Sequence, residues 1–164
     1  MNIVYLADHP QYIPTLAAWH HTMWSHLNPG DTEAARADRL RLHTGRPGIP
    51  TTLLALEGET LLGSASLVQN DLTTHPHLTP FLASVYVAPA HRHQGVASAL
   101  VRRMRDEVTQ LGLPQFYLIT PDQQRLYARL GWREVEQVYY RGELVTLMTV
   151  TCATPAGVSQ FGGA

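Results

Sequence analysis

The chain has 164 residues, 45% hydrophobic and only 15% charged, enough for one domain with its own core. Twelve basic residues, all Arg, against thirteen acidic ones leave a net charge of −1, which excludes the global basic field of a nucleic-acid binder. No apolar run nears the roughly 20 residues of a transmembrane helix, no secretory pattern opens the chain, and the single cysteine, Cys152, excludes an intramolecular disulfide and a cysteine-based zinc cluster, so a cytoplasmic location is the default expectation.

Asn2–Ala7 reads as a short strand. From His9 to Leu27, Ile13, Leu16, Ala17, His20, Trp24 and Leu27 fall on one helical face, with Pro10 at the start and Asn28-Pro29-Gly30 at the end. Asp31 is the expected cap of a second helix reaching His43, and Thr44–Pro50 is a loop of Pro and Gly. Thr51–Leu56 and Thr60–Val68 flank Glu57-Gly58-Glu59 and predict a hairpin. Gln69–Pro80 is a polar loop, Phe81–Val87 an apolar strand and Ala88–Gln94 a second loop. Gly95–Leu111 is a helix that buries Val96, Leu100, Val101, Met104, Val108 and Leu111 and turns Arg102, Arg103 and Arg105 to solvent. Gly112 ends it. Gln115–Thr120 is a strand, Asp122–Leu130 a short helix stopped by Gly131, and Trp132–Tyr140 with Glu143–Val150 a closing hairpin around Arg141-Gly142. The order β-α-α-β-β-β-α-β-α-β-β predicts an α/β fold, a mixed sheet with helices on both faces. The domain spans residues 1–150, and Thr151–Ala164 is a tail expected to be poorly ordered towards its end.

The most informative segment runs from Val85-Tyr86-Val87 through Ala88-Pro89-Ala90-His91-Arg92-His93-Gln94 into Gly95-Val96-Ala97-Ser98. A strand feeds a loop that opens directly into a helix. The first-turn N–H groups of a helix lack intrahelical partners and sit at the positive end of its dipole, so such a turn suits an anion. Gly95 permits close backbone approach, Ala97 and Ser98 keep the first turn small, and Arg92 adds a fixed charge. There is no Gly-Lys-Ser/Thr of a phosphate loop and no three-glycine dinucleotide fingerprint. On spacing alone, a plain strand-to-helix turn stays open as the alternative.

Arg92-x-x-Gly95-x-Ala97, preceded by Val85-Tyr86-Val87-x-Pro89, resembles motif A of the GNAT superfamily of acyl-CoA-dependent N-acetyltransferases. Leu126-Tyr127-Ala128-Arg129-Leu130-Gly131-Trp132 resembles that family's second signature, a Tyr on a short helix before Gly-Phe or Gly-Trp. The resemblance covers residues 3 to 150 and is most specific over Phe81–Glu134. It implies a mostly antiparallel sheet of about seven strands flanked by about four helices. It also implies acetyl-CoA as acyl donor, held by the backbone N–H groups of Arg92, His93, Gln94, Gly95, Val96, Ala97 and Ser98 and along the splayed edge Val85, Tyr86, Val87. Tyr127 takes the place of the family's general acid. The chemistry suits a phenol, since a free thiol has a pKa near ~8.5 and Tyr near ~10, so a proton can be shared with a leaving sulfur. His93 departs from the family, which often has Gly there, and Thr120 stands where it frequently has Asn.

The resemblance implies acetyl transfer to the primary amine of a small molecule, by direct attack, with no nucleic-acid or membrane partner; a homodimer is compatible with it. His20, Trp24 and Ser84 are candidate acceptor-lining residues, with core packing as the alternative for Trp24. Some members carry a Glu base on the motif strand, but Phe81–Val87 has no acid. Ser84, a water chain, Asp71, His75 or His77 remain as base candidates, as does an amine that arrives neutral. His75-x-His77, His91-x-His93 and the run from His20 to His26 lack an obvious third ligand, so no metal site is expected. A non-catalytic acyl-CoA sensor on the same fold is the alternative function.

Overall fold

Continuous burial along Thr51–Leu56 and Leu61–Leu67 marks two strands covered on both faces, and the architecture is arranged around them. The computed structural model describes residues 1–153. In chain order it comprises β1 (Asn2–Tyr5), α1 (Ile13–Trp24), α2 (Glu33–Arg41), β2 (Thr51–Glu57), β3 (Thr60–Val68), β4 (Phe81–Val87), α3 (Val96–Gln110), β5 (Gln115–Thr120), α4 (Gln124–Arg129), β6 (Arg133–Tyr140) and β7 (Glu143–Thr151). The seven strands form one sheet in the order β1-β2-β3-β4-β5-β7-β6. Every neighbouring pair is antiparallel except β4 and β5. The expected α/β class, strand number and helix number all hold.

Two cores cover the sheet. On one face α3 inserts Val96, Leu100, Val101, Met104 and Val108 against Leu53, Leu62, Leu82, Phe116 and Met148, and Tyr127 of α4 joins them. Five such side chains contribute on the order of 10 kcal/mol of gross burial at ~2 kcal/mol each, which holds the start of α3 firmly against the sheet. On the other face Ile13, Leu16 and Ala17 of α1 and Ala37 and Leu40 of α2 cover Leu54, Leu56 and Leu61. A smaller cluster on that second face joins Leu72 to Phe81, Tyr117 and Leu147.

Several boundaries differ from expectation. The first strand stops at Tyr5, because Leu6 turns into the core within a 3-10 helix, Leu6–Asp8. The helix expected from His9 to Leu27 is α-helical only over α1; both ends tighten into 3-10 turns, Pro10–Tyr12 and Ser25–Leu27. The cap of α2 is Thr32, whose Oγ1 accepts from the Ala35 N–H at 3.0 Å, not Asp31. Asp31 instead receives both terminal nitrogens of Arg39, at 3.1 and 2.6 Å. Arg103 and Arg105 are not a solvated face: Arg103 donates to the Ile3 carbonyl at 3.2 Å and Arg105 to the Thr151 carbonyl at 2.6 Å, tying α3 to β1 and β7.

The last strand reaches Thr151, and buried Cys152 donates its N–H to the Pro114 carbonyl at 2.8 Å. The remainder of the expected tail, residues 154–164, lies outside the described residues. No helix among the described residues is long and apolar enough to cross a membrane.

Candidate active site

The sheet opens where its one parallel pair fails. Strands β4 and β5 share a single registered pair, Phe81 with Tyr117, and then part. The residues of β4 beyond that point keep a partner only on the β3 side. There Ser64 to Ser66 faces Tyr86 back to Ala83, so β4 carries one extra residue, a bulge at Ser84 and Val85. Ser84 sits at φ +52°, a left-handed conformation that bends the strand. Gly63 lets β3 close on this stretch: a Cβ there would lie 2.4 Å from the Tyr86 carbonyl oxygen. That carbonyl therefore faces β3. The Ala88 N–H also bonds back to the Leu62 carbonyl of β3, and successive residues of a strand alternate edges, so Val87 between them directs its N–H and C=O groups into the opening. The Val87 carbonyl accepts from Arg92 Nε at 2.9 Å.

The strand then runs through a 3-10 turn, Pro89–His91, into α3. His93 has φ +62° and Gly95 φ +82°, two left-handed residues flanking Gln94. This explains why a glycine suits the position of His93: an L-residue there costs roughly 1–2 kcal/mol of backbone strain. Gly95 leads directly into the first turn of α3, whose N–H groups lack intrahelical partners. The first helical bond runs from the Ala99 N–H to the Gly95 carbonyl. The N–H groups of His93, Gly95, Val96, Ala97 and Ser98 meet no acceptor among the described residues. A Cβ placed on Gly95 meets nothing within 4 Å. The turn is thus a preformed cradle of unengaged donors at the positive end of a 15-residue helix. It fits a diphosphate. Arg92 folds back over the Tyr86 ring, its guanidinium carbon 5.7 Å from the centroid.

Tyr127 lies on α4, directly after the strand that parts from β4. Its ring is buried against Trp132, with centroids 6.0 Å apart and edge-to-face. Burial holds its phenol well above the ordinary tyrosine value, and the nearby Asp122 charge adds to this. The hydroxyl remains a protonated donor across the working pH range.

On the opposite face the end of α1 meets Tyr86 of β4 and Ser64 of β3. His20, Trp24 and Tyr86 form one aromatic group, with Trp19 beside Tyr86 at 5.4 Å, His20 against Trp24 at 5.2 Å and Trp24 against Tyr86 at 6.1 Å. Sequence reasoning placed His20 and Trp24 at the acceptor side; it missed that Tyr86, assigned to the cofactor edge for its backbone, supplies a side chain to the same wall. Ser84 sits two residues before Tyr86, at the bulge. Trp24 is half-buried in this wall. His20 is itself buried, 4% exposed, and its Nε2 lies 3.1 Å from Ser64 Oγ.

Burial, with help from the charges of Arg36 and His43, lowers His20 to about 4. The unfolded chain titrates this group near ~6.5, so between the two values it binds a proton the fold does not. Stability is therefore complete above pH 6.5 and falls as the pH drops towards 4, by about 3 kcal/mol at ~1.4 kcal/mol per unit. Urea midpoints from pH 7 to 4.5 are expected to decline less steeply in His20→Gln than in the parent. Equal slopes would show that other groups carry the acid sensitivity.

The remaining candidates lie apart. His75 pairs with Glu136 of β6 and stacks on His77 at 6.2 Å, so it is tied down rather than free as a base. Among the described residues no three His, Cys, Asp or Glu side chains converge as metal ligands. Thr120 accepts the Gln123 N–H at 3.0 Å and caps the turn into α4, a structural use of that position.

The sequence matches the model of the acetyltransferase (GNAT) family over residues 13–132. No curated protein sequence matches it at a significant level. Solved structures of the same fold include an aminoglycoside 6'-N-acetyltransferase complexed with coenzyme A (TM-score 0.72, 16% identity, 92% of this chain and 97% of that one). Another is spermidine N-acetyltransferase from Vibrio cholerae in complex with CoA and spermine (TM-score 0.67, 19% identity, 92% and 94%). A third is a Salmonella typhimurium protein with its cofactor acetyl-CoA (TM-score 0.71, 18% identity, 97% and 98%). At these identities the likeness is one of fold.

Proposed function

This chain belongs to the GNAT family of acetyltransferases, and on that premise we propose that it moves the acetyl group of acetyl-CoA to the primary amine of a small acceptor by direct attack. The observation that carries the reading is the cradle of unengaged N–H groups at His93 and Gly95–Ser98, set beside a β4 edge released from β5. In this reading those groups, with Arg92 and Gln94 completing the turn, hold the diphosphate. Val85 and Val87 bond the pantetheine arm along the open edge, and Tyr86 contributes its ring to the acceptor side. When bound, acetyl-CoA supplies a thioester whose sulfur leaves as a thiolate. Tyr127 gives that sulfur a proton. Its own burial keeps the phenol from ionising first.

Trp19, His20, Trp24 and Tyr86 wall the acceptor side, and the bulge at Ser84 bends β4 so that the reacting centre faces that wall. Aromatic faces suit an amine carried on an apolar body and attract a cation at roughly 0.5–2 kcal/mol per face. We place the enzyme in the cytoplasm, where its acyl donor is available.

Acetyl-CoA is expected to raise the melting temperature of the protein by several degrees, and free thiol to appear on adding an amine. The panel is spermidine, kanamycin, phenethylamine and a glycine-initiated tripeptide. Stabilisation without thiol release from any amine would favour a sensor that binds without turnover. No stabilisation at millimolar acetyl-CoA would sink the reading altogether.

A further inference from the structure

The helix that carries Tyr127, α4, has only six residues. Isolated helices shorter than roughly 12–15 residues are marginal in water, so the orientation of α4 is set by what holds it from outside. Gln123, at its start, makes no side-chain cap. The fastening comes instead from two threonines of the sheet. Thr120 ends β5, and Thr146 of β7 is its registered partner. Two residues back, the registered pair Leu118 and Met148 belongs to the core on the α3 face, so Thr120 and Thr146 emerge on that same face. Both are buried, at 4% and 1% exposure.

Each threonine oxygen takes one bond from the beginning of α4. Thr120 Oγ1 accepts the Gln123 N–H at 3.0 Å. Thr146 Oγ1 accepts from Gln124 Nε2, also at 3.0 Å, and the same nitrogen donates to the Pro121 carbonyl at 3.2 Å. Both hydrogens of the Gln124 amide are thereby engaged. Thr120 stands where the family frequently has Asn, and its hydroxyl is used here to begin this helix.

Gln124 and Tyr127 are three residues apart, which puts them on one face of α4. Burial follows that face: Gln124, Leu126, Tyr127 and Leu130 are covered, while Arg125, Ala128 and Arg129 are exposed. At the far end the Tyr127 carbonyl accepts the N–H groups of Leu130 and Trp132, at 2.9 and 3.0 Å, and the Tyr127 ring meets Trp132 edge-on. Tyr127 thus has an apolar support from the chain that follows it and a polar one from β7 through Gln124. Apolar packing is non-directional, whereas a hydrogen bond weakens steeply once its angle closes below ~120°. The bond from Gln124 to Thr146 is therefore what fixes the rotation of α4 about its own axis.

We propose that Gln124 and Thr146 form a positioning pair for Tyr127, aiming its hydroxyl at the departing sulfur. The inference rests on the acetyltransferase reading above, in which Tyr127 is the acid. Neither residue touches donor or acceptor in this assignment; both act through the orientation of α4. A tyrosine hydroxyl stands well out from the helix axis, so a small rotation of the helix displaces it appreciably. A misplacement of about 1 Å costs up to about a hundredfold in rate.

The test uses the full chain and the best amine of the panel. Gln124→Met keeps the length of the side chain and removes the amide. Thr146→Val keeps the shape and removes the hydroxyl. Each should lower kcat at least about tenfold, and by no more than the roughly hundredfold expected of Tyr127→Phe. KM for acetyl-CoA should stay within about twofold of the parent. The double variant should be no slower than either single one, because both remove the same bond. Thr146→Ser, which keeps the acceptor oxygen, should recover most of the loss. In a Tyr127→Phe background neither substitution should lower kcat further, whereas a merely structural contribution would multiply with it. Independently of turnover, the Tyr127 ring resonances of the free protein, assigned by their loss in Tyr127→Phe, should shift in Gln124→Met and Thr146→Val and hold in Thr146→Ser. Should one of the two variants not fold, the other carries the same comparison. Parent-like kcat, losses that multiply with that of Tyr127→Phe, or ring resonances that stay in place would overturn the assignment and leave the acetyltransferase reading standing. Full kcat in Tyr127→Phe, or a parent that binds acetyl-CoA but acetylates no amine, would remove the acid and the positioning pair together.

Discussion

Gly95→Asp is expected to abolish the stabilisation by acetyl-CoA. The Cβ of the new side chain enters the space that the turn leaves open, where nothing of the protein lies within 4 Å. Its carboxylate then stands against a diphosphate. Two like charges about 4 Å apart repel by about 4 kcal/mol at an effective dielectric of ~20, a loss of roughly a thousandfold in affinity. The left-handed backbone, φ +82°, adds a folding cost of roughly 1–2 kcal/mol for any L-residue. Gly95→Ala carries that same backbone cost without the charge. It should melt like the Asp variant yet lose only about tenfold in acetyl-CoA affinity, measured by calorimetry. An Asp variant that folds and binds acetyl-CoA with the parent's affinity would mean that the diphosphate does not sit on this turn.

Tyr127→Phe is expected to separate chemistry from binding. The ring packs against Trp132, and phenylalanine keeps that contact. The variant should therefore fold with stability equal to the parent or slightly above it, since a buried hydroxyl is no longer desolvated. Turnover should fall about a hundredfold, the usual scale for one general acid, while KM for acetyl-CoA moves less than twofold. Because burial raises the phenol, the parent's kcat should show no alkaline decline through pH 9.5 that the Phe variant lacks. If kcat survives in Tyr127→Phe, the leaving sulfur takes its proton from elsewhere. The expected pair of results separates two steps, donor binding at Gly95 and reaction of the bound donor at Tyr127.

The parts of the site that could be read in the chain are those built from consecutive residues. The strand Phe81–Val87 was read with the bounds it has in the fold, because seven apolar and small residues lie between a proline-rich loop and a turn. The cradle was legible because a helix N-terminus, one glycine and small first-turn residues are all local features. The contacts that build the aromatic group beside β4 were not. Tyr86 meets Trp19, His20 and Trp24 across more than 60 residues of chain, and nothing in the spacing of either segment signals the pairing. Asp31 looked like a helix cap because its residue type favours that role, but Thr32 had the better position and two arginines drew the carboxylate away. The arginines of α3 looked solvated because a helical wheel does not show that β1 and β7 present carbonyls to two of them.

The sequence by itself determined the element order, the mixed sheet and the donor-rich turn, since each depends on periodicity, capping and backbone freedom within a few residues. Only the tertiary structure decided where the sheet opens and what faces the opening. Strand β4 parts from β5 after Phe81, its bulge is set by the register with β3, and Gly63 of β3 admits the Tyr86 carbonyl. Such positions are fixed by packing between segments distant in sequence, where each side chain's surroundings come from its partners and not from its neighbours in the chain.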